Sequence, residues 1–231
     1  MSKKPILYII STPIGNLKDI TYRAVETLKT VTLIAAEDTR TTRKLLNYYQ
    51  IKTPVISYFE HNRLNRIPQI ISRLHSGEDV GLVTDAGTPG ISDPAYKLIR
   101  AAIEAGIRVE SIPGASAVLA ALVSSGLPTD RFLFEGFLPP KKGRQKRLTA
   151  MSRESATCIL YESPRRLVRT LNDILKYIGD RPAVVCRELT KLHEEIIRGT
   201  VSELVDHFTS KPARGECVIL VGKNDPNVYF E

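Results

Sequence analysis

"DVGLVTDAGTPGISDPAYKLIRAAIEAGIRVESIPG", residues 79–114, decides the fold. It opens on an apolar run of strand length, 79–84, and closes on another, 108–112. Between them a helix is predicted to start near Asp93, with Asp as N-cap and Pro94 in the first position, and to end at Gly106 as a left-handed cap. Strand, helix and strand in one short span make a βαβ unit, and so a parallel pair.

Earlier residues follow the same rule. The runs 6–10, 31–36 and 55–58 have strand length and β-branched content. A helix is predicted over 62–75, where Leu64, Ile67, Ile70, Ile71 and Leu74 share a stripe and Gly77 marks the stop. The expected architecture is α/β, a mainly parallel sheet with helices on both faces. After the small-residue helical stretch 113–128, strands come in closer succession: "RFLFEGF", "ATCILY", "PAVVCREL", "EEIIRGT" and "RGECVILVG", with helices over 163–178 and at "VSELVDHFTS". That pattern predicts a second αβ domain with a mixed sheet, the domains spanning 1–113 and 114–231.

Composition limits the function classes. The 231 residues are 42% hydrophobic and 25% charged, as in ordinary globular proteins, and 6% aromatic residues with no Trp argue against a surface built mainly on stacking. No run approaches the 18 apolar residues of a membrane span, and "KKPILYII" is cut off by Ser11, Thr12 and Pro13 before it could form a signal core. The expected location is therefore the cytoplasm, with no membrane partner. Cys158, Cys186 and Cys217 lie in apolar runs and read as buried strand thiols. Together with four scattered histidines they form no ligand set, so no metal is expected.

The net charge of +8 points to an anionic partner. Residues 1–113 hold 15 Lys and Arg against 11 Asp and Glu, and the remainder 18 against 14, so no basic tail accounts for it. Local clusters do. "KKGRQKR" places Lys141, Lys142, Arg144, Lys146 and Arg147 in seven residues, and "SPRRLVR" adds Arg165, Arg166 and Arg169. Between Arg40 and Arg73 seven cations meet a single acid, Glu60. One such run is usually a solvated face; three favour a polyanion such as nucleic acid.

Ligands of open α/β sheets bind beyond the carboxyl ends of strands, and four ends here are rich in turn-formers: "STPIGN", "AEDTR", "DAGTPGISDP" and "PGASA". "STPIGN" lacks the G-x-G-x-x-G spacing, and Pro13 removes a donor that a pyrophosphate would need, so a dinucleotide site is a poor reading. "DAGTPGISDP" suits a ligand read by the main chain; alone it is equally a strand-to-helix connection. "EDTR" reads two ways: as a helix start capped by Asp38 or Thr39, or as Glu37 and Asp38 addressing a substrate hydroxyl with Arg40 on a phosphate. In "YESPRRL", Ser163 caps, Pro164 starts the helix, and Arg165 and Arg166 oppose its dipole, a misfit that a neighbouring anion would offset.

Taken together, "TPIGNLKDIT", "AAEDTRTTRKLL", "LVTDAGTPGISDP", "IPGASA", "FEGFLP", "YESPRRL" and "CRELTKLHEEIIRGT" resemble the ribosomal RNA small subunit methyltransferase I family, within the tetrapyrrole methylase superfamily of S-adenosylmethionine enzymes. The resemblance runs from about Ile6 to Gly222. It implies two αβ domains with S-adenosylmethionine in the cleft between them, a homodimer, and 2′-O-methylation of a cytidine near the decoding centre of 16S small-subunit rRNA, naked or in the assembled subunit. It also implies cofactor contacts at Pro13, Ala86, Gly87, Thr88, Ile91, Ser116, Ala117, Glu162 and Leu189. Thr88 stands where the superfamily more often has Asp. Members of that family generally continue past the last strand into a further helical segment, whereas this sequence ends at Glu231, which implies a shortened or short form with weaker RNA affinity and a complete cofactor site. Rival readings are a tetrapyrrole methyltransferase and a non-catalytic RNA-binding module.

Overall fold

The structure is a computed structural model in which residues 4–230 are described. The chain divides into two compact units, Met1–Ser116 and Ala117–Glu231, against the sequence-based boundary at 113/114.

In the first unit β1 (Ile6–Ile10), α1 (Tyr22–Thr30), β2 (Leu33–Ala36), α2 (Thr39–Tyr48), β3 (Val55–Ser57), α3 (Arg63–His75), β4 (Val80–Val83), α4 (Ala95–Glu104) and β5 (Arg108–Ile112) follow one another. The five strands form one sheet in the order β3-β2-β4-β1-β5, with every pairing parallel. Successive side chains of a strand point to opposite faces, which splits the core in two. Leu7, Ile9, Leu33, Ala35 and Leu82 pack under Ile70 and Leu74 of α3 and Leu98 and Ala102 of α4. Ile10, Ile34, Ala36 and Val83 pack under Ala24 and Leu28 of α1 and Leu46 of α2. Both faces are thus covered, as a parallel sheet requires.

The second unit comprises α5 (Ala117–Ser125), β6 (Phe132–Phe137), α6 (Arg144–Met151), β7 (Thr157–Glu162), α7 (Leu167–Tyr177), β8 (Pro182–Arg187), β9 (Glu195–Thr200), α8 (Val201–Ser210) and β10 (Cys217–Val221). Its sheet runs β6-β7-β10-β8-β9, parallel between β6 and β7 and antiparallel elsewhere, so it is mixed. One face is buried under Leu148 and Met151 of α6, Leu167, Leu171 and Ile174 of α7, and Leu204 and Phe208 of α8. The cysteines are buried strand residues, and burial pushes the Cys158 and Cys186 thiols up to about 12 and Cys217 to about 11.

Three local readings differ from the sequence-based ones. Leu64 is 79% exposed, so the apolar stripe of α3 begins only at Ile67, with Ile70 and Leu74 fully buried. α4 begins at Ala95 with Pro94 in the cap position, and Asp93 stabilises the start from one residue further out. Its carboxylate accepts from Ala95 N at 2.8 Å and from Gly90 N at 2.8 and 2.9 Å. The helix expected over 163–178 opens instead as a 3-10 turn, Pro164–Arg166, before α7.

Leu98 is fully buried in the first core and Phe208 nearly so in the second. Leu98→Ala is therefore expected to lower the unfolding free energy by about 2–5 kcal/mol and Phe208→Ala by about 3–5 kcal/mol, read by denaturant titration. Unchanged midpoints would contradict this packing.

Candidate functional site

β1 and β4 are neighbours, yet the chain leaves them in opposite directions. From β1 it crosses one face through α1 to β2, on the far side of β4; from β4 it crosses the other face through α4 to β5, on the far side of β1. Such a switch point opens a crevice at the carboxyl ends of the two strands.

The loops there are tied together. Thr12 N–H donates to the Gly87 carbonyl at 2.9 Å, and Gly87 N–H donates to the Thr12 carbonyl at 3.1 Å. Thr12 Oγ1 donates to the Thr84 carbonyl at 3.1 Å. Ser11 Oγ and Thr88 Oγ1 lie 2.9 Å apart, and Thr88 Oγ1 also donates to the Ala115 carbonyl at 3.3 Å. The loops following β1, β4 and β5 are thereby joined. Gly87 has φ of +81°, which L side chains rarely adopt, and a Cβ on Gly114 would lie 2.9 Å from Ser11 Cβ. Within this frame the Ala86 peptide groups and the Thr88 N–H take no hydrogen bond among the described residues. Ala86 is exposed and Ile91 is 45% exposed, so the loop offers open main-chain groups beside an apolar side chain.

Three carboxylates stand at the same rim. Asp38 caps α2, accepting from Arg40 N at 2.8 Å, and pairs with the Arg40 guanidinium at 2.7 Å. Those bonds hold its carboxyl down at about 2. Glu37 accepts from the Thr84 hydroxyl and, at 3.4 Å, from Asp85 N. Asp85 accepts from Asp38 N at 3.0 Å through Oδ1, while Oδ2 receives no hydrogen bond among the described residues. Partial burial first, and the neighbouring Glu37 and Asp38 charges next, raise the Asp85 carboxyl above its ordinary value. Arg40 donates to Asp38 through Nε and Nη2, which leaves Nη1 outward on a side chain 85% exposed.

The basic residues of the second unit fare differently from one another. Lys141, Lys142, Lys146 and Arg147 are exposed around Gly143, and Lys141, Lys146 and Arg153 line a surface groove of about 630 Å³ along α6. Arg144 is buried, donating to Asp173 Oδ2 at 2.7 Å, Thr170 Oγ1 at 2.8 Å and the Pro139 carbonyl at 3.4 Å. Arg165 is exposed, whereas Arg166 pairs with Glu162 at 3.3 Å and donates to the Leu138 carbonyl at 2.7 Å.

The tetrapyrrole (corrin/porphyrin) methylase family matches residues 6–205. The chain is 54% identical to a Synechocystis sp. protein named ribosomal RNA small subunit methyltransferase I, over 94% of this chain and 79% of that one. It is 50% identical to a Thermotoga maritima protein of the same name, over 94% of this chain and 98% of that one. The chain belongs to the ribosomal RNA small subunit methyltransferase I family of tetrapyrrole methylases. Among solved structures, the cobalamin biosynthetic enzyme cobalt precorrin-4 methyltransferase shares its fold, with a TM-score of 0.70 at 21% identity over 94% of each chain.

As a member of this methyltransferase family, the protein keeps most of its sequence-marked residues together at one rim: Pro13, Ala86, Gly87, Thr88, Ile91, Ser116, Glu37, Asp38 and Arg40 all follow carboxyl ends of the first sheet. Thr88, standing for the more usual Asp, spends its hydroxyl on joining loops. In the second unit Ala117 opens α5, Leu189 is buried beyond β8, and the Glu162 carboxylate accepts from Ser163 N at 2.8 Å and Thr170 Oγ1 at 2.6 Å. The anion that offsets Arg166 at its turn is thus Glu162 of the chain itself. Sequence reasoning passed over Asp85 as a chemical group. Its signal was available: it is the first polar side chain past β4 that can ionise, in a loop already marked as ligand-facing. No helix among the described residues is long and apolar enough to cross a membrane.

The two aspartates carry opposite pH signatures. Asp38, lowered, adds stability that is present above its ordinary 3.8 and is lost as pH falls through about 2. Asp85, raised, adds stability present below 3.8 and lost as pH rises through its folded value. Carboxyl NMR is expected to place the Asp38 midpoint near 2, and Arg40→Ala to move it back up. Asp85→Asn, which keeps an acceptor for Asp38 N–H, is expected to raise Tm at pH 7 and to leave it unchanged near pH 3. A fall in Tm at pH 7 would contradict the geometry.

Proposed function

We propose that the protein transfers a methyl group from S-adenosylmethionine to the ribose 2′-oxygen of a cytidine in small-subunit rRNA. The observation that carries this reading is the 54% identity, across both units, to a protein named for methylating that RNA. The rim chemistry supports it. S-adenosylmethionine supplies, when bound, an electrophilic methyl on a sulfonium. Pro13, Ala86, Gly87, Thr88, Ile91 and Ser116 are proposed to hold it in the first unit. Ala117, Glu162 and Leu189 are the assignments in the second, with Glu162 acting through its backbone because its carboxylate is already bonded. The open peptide groups of Ala86 and Thr88 fit a ligand read by the main chain, which a side chain at Gly87 would distort.

The chain's own task is to place a sugar hydroxyl in line and take its proton. Asp85 keeps Oδ2 free, as Glu37 keeps Oε1, and the proton is assigned to Asp85 because its surroundings raise its carboxyl above its ordinary value while the Arg40 pair holds Asp38 down. Glu37 and Asp38 position it, Asp38 through its N–H and Glu37 by bonding Thr84 and the Asp85 N–H. Arg40 binds the adjacent phosphate through its outward Nη1. Lys141, Lys142, Lys146, Arg147 and Arg165 offer exposed cations to the rest of the RNA, and Arg144 and Arg166 brace them from inside. On this reading the protein works in the cytoplasm as a homodimer.

Labelled S-adenosylmethionine, offered with small ribosomal subunits, naked small-subunit rRNA or a porphyrinogen, tests the reading. Mass spectrometry of nuclease digests is expected to find the label on a cytidine ribose. Label on a base, on the porphyrinogen or nowhere would overturn it. Asp85→Asn is expected to lower kcat by about a hundredfold or more while the thermal shift with S-adenosylmethionine persists. Full turnover would remove Asp85 from the reaction.

A further inference from the structure

α2 leaves the rim at Asp38 and carries no acid along its length; the next acidic residue in the chain is Glu60. Its inner face is Thr42, Leu45 and Leu46, all buried. Its outer face shows Arg40, Arg43, Lys44 and Tyr48 at the spacing of successive turns. Elsewhere in the first unit Arg63 pairs with Glu60, Arg73 with Glu78, Arg100 with Glu104 and Arg108 with Glu110, while the exposed Lys18, Arg23, Lys29, Lys52 and Lys97 have no ion pair among the described residues but do not share one helix face with the rim. Arg43 and Lys44, one turn beyond the rim, make no ion pair or side-chain hydrogen bond among the described residues.

The stripe ends on a ring that is held in place. Tyr49 donates its hydroxyl to the Leu17 carbonyl at 2.6 Å. Tyr48 meets the Tyr49 ring edge to face, centroids 4.9 Å apart and planes at 75°, and remains 58% exposed. An exposed aromatic side chain fixed by a neighbour loses little entropy when a base stacks on it. Arg40 to Tyr48 spans about 12 Å at the rise of an α-helix.

We infer that the outer face of α2 is the track for the RNA strand leading away from the methylated nucleotide, with Arg43 and Lys44 on successive phosphates and Tyr48 under a base. This rests on the reading under Proposed function and adds a contact surface to it. Charge complementarity selects the occupant: two unpaired cations followed by a fixed ring match a single strand, which alternates phosphate and base, better than an acidic protein surface, which has no base to stack.

The test compares wild type with the double variant Arg43→Gln/Lys44→Gln and, separately, Tyr48→Leu, using a small-subunit rRNA transcript as the probe. Both sets of side chains are exposed, so Tm and the thermal shift with S-adenosylmethionine are expected to stay at wild-type values. The double variant is expected to bind the transcript at least tenfold more weakly at low salt and to flatten the slope of log K against log salt by about 1.4, two phosphates at roughly 0.7 each. Its KM for RNA rises while kcat at saturating RNA holds. Tyr48→Leu is expected to lose about fivefold or more in affinity with the salt slope intact, as removal of a stacking partner would. Wild-type affinity and slope in the double variant overturn the inference alone, and so does an equal loss of slope with Tyr48→Leu. A wild-type protein that methylates no RNA overturns the proposed function and this inference with it.

Discussion

Two peptide hydrogen bonds, Thr12 N–H to Gly87 and Gly87 N–H to Thr12, hold the rim of the first sheet in one shape. They join the loops of β1 and β4, the neighbouring strands from which the chain departs toward opposite faces. Without that bridge each loop would be an independent turn, and turns on a sheet edge are mobile. With it, and with Thr88 tied to Ser11 and to the Ala115 carbonyl, three loops become one surface. Its demands are local: positive φ at Gly87 and no Cβ at Gly114.

The acids depend on that surface. Asp85 follows directly from the strand that the bridge anchors, and its Oδ1 is taken by Asp38 N–H at 3.0 Å. Arg40 divides the labour by neutralising Asp38, whose carboxyl drops to about 2, while Asp85 is left against Glu37 and Asp38 with its proton affinity raised. Similar side chains, each two residues past the end of one of two neighbouring strands, therefore acquire different chemistry from their surroundings. The strain of gathering three carboxylates is a usual signature of a functional rim, where stability is traded for reactivity.

How much of this was legible depends on the range of the interaction. Strand β1 falls on its apolar run, because a central strand covered on both faces needs an uninterrupted apolar stretch, whereas β5, at the sheet edge, carries Arg108, Glu110 and Ser111 and was marked by its length and β-branched residues. The Asp38 cap was legible too, since capping acts over two residues. The Thr12 to Gly87 bridge joins residues 75 positions apart and leaves no local mark. Arg144 read as one cation in a basic run, but Asp173, 29 residues on, draws it inside; Leu64 read as a stripe member, but its turn projects beyond the core. Periodicity reports which face a residue could join, and tertiary partners settle whether it does.

The most direct measurement of the joined rim is an amide NMR titration of isotope-labelled protein with S-adenosylmethionine. The expected result is a saturable set of shifts that includes the amides of residues 12–13, 86–91 and 114–117, with the Thr12 and Gly87 amides remaining protected from exchange. A spectrum unchanged in those three loops at saturating ligand, or shifts confined to other parts of the chain, would contradict the account.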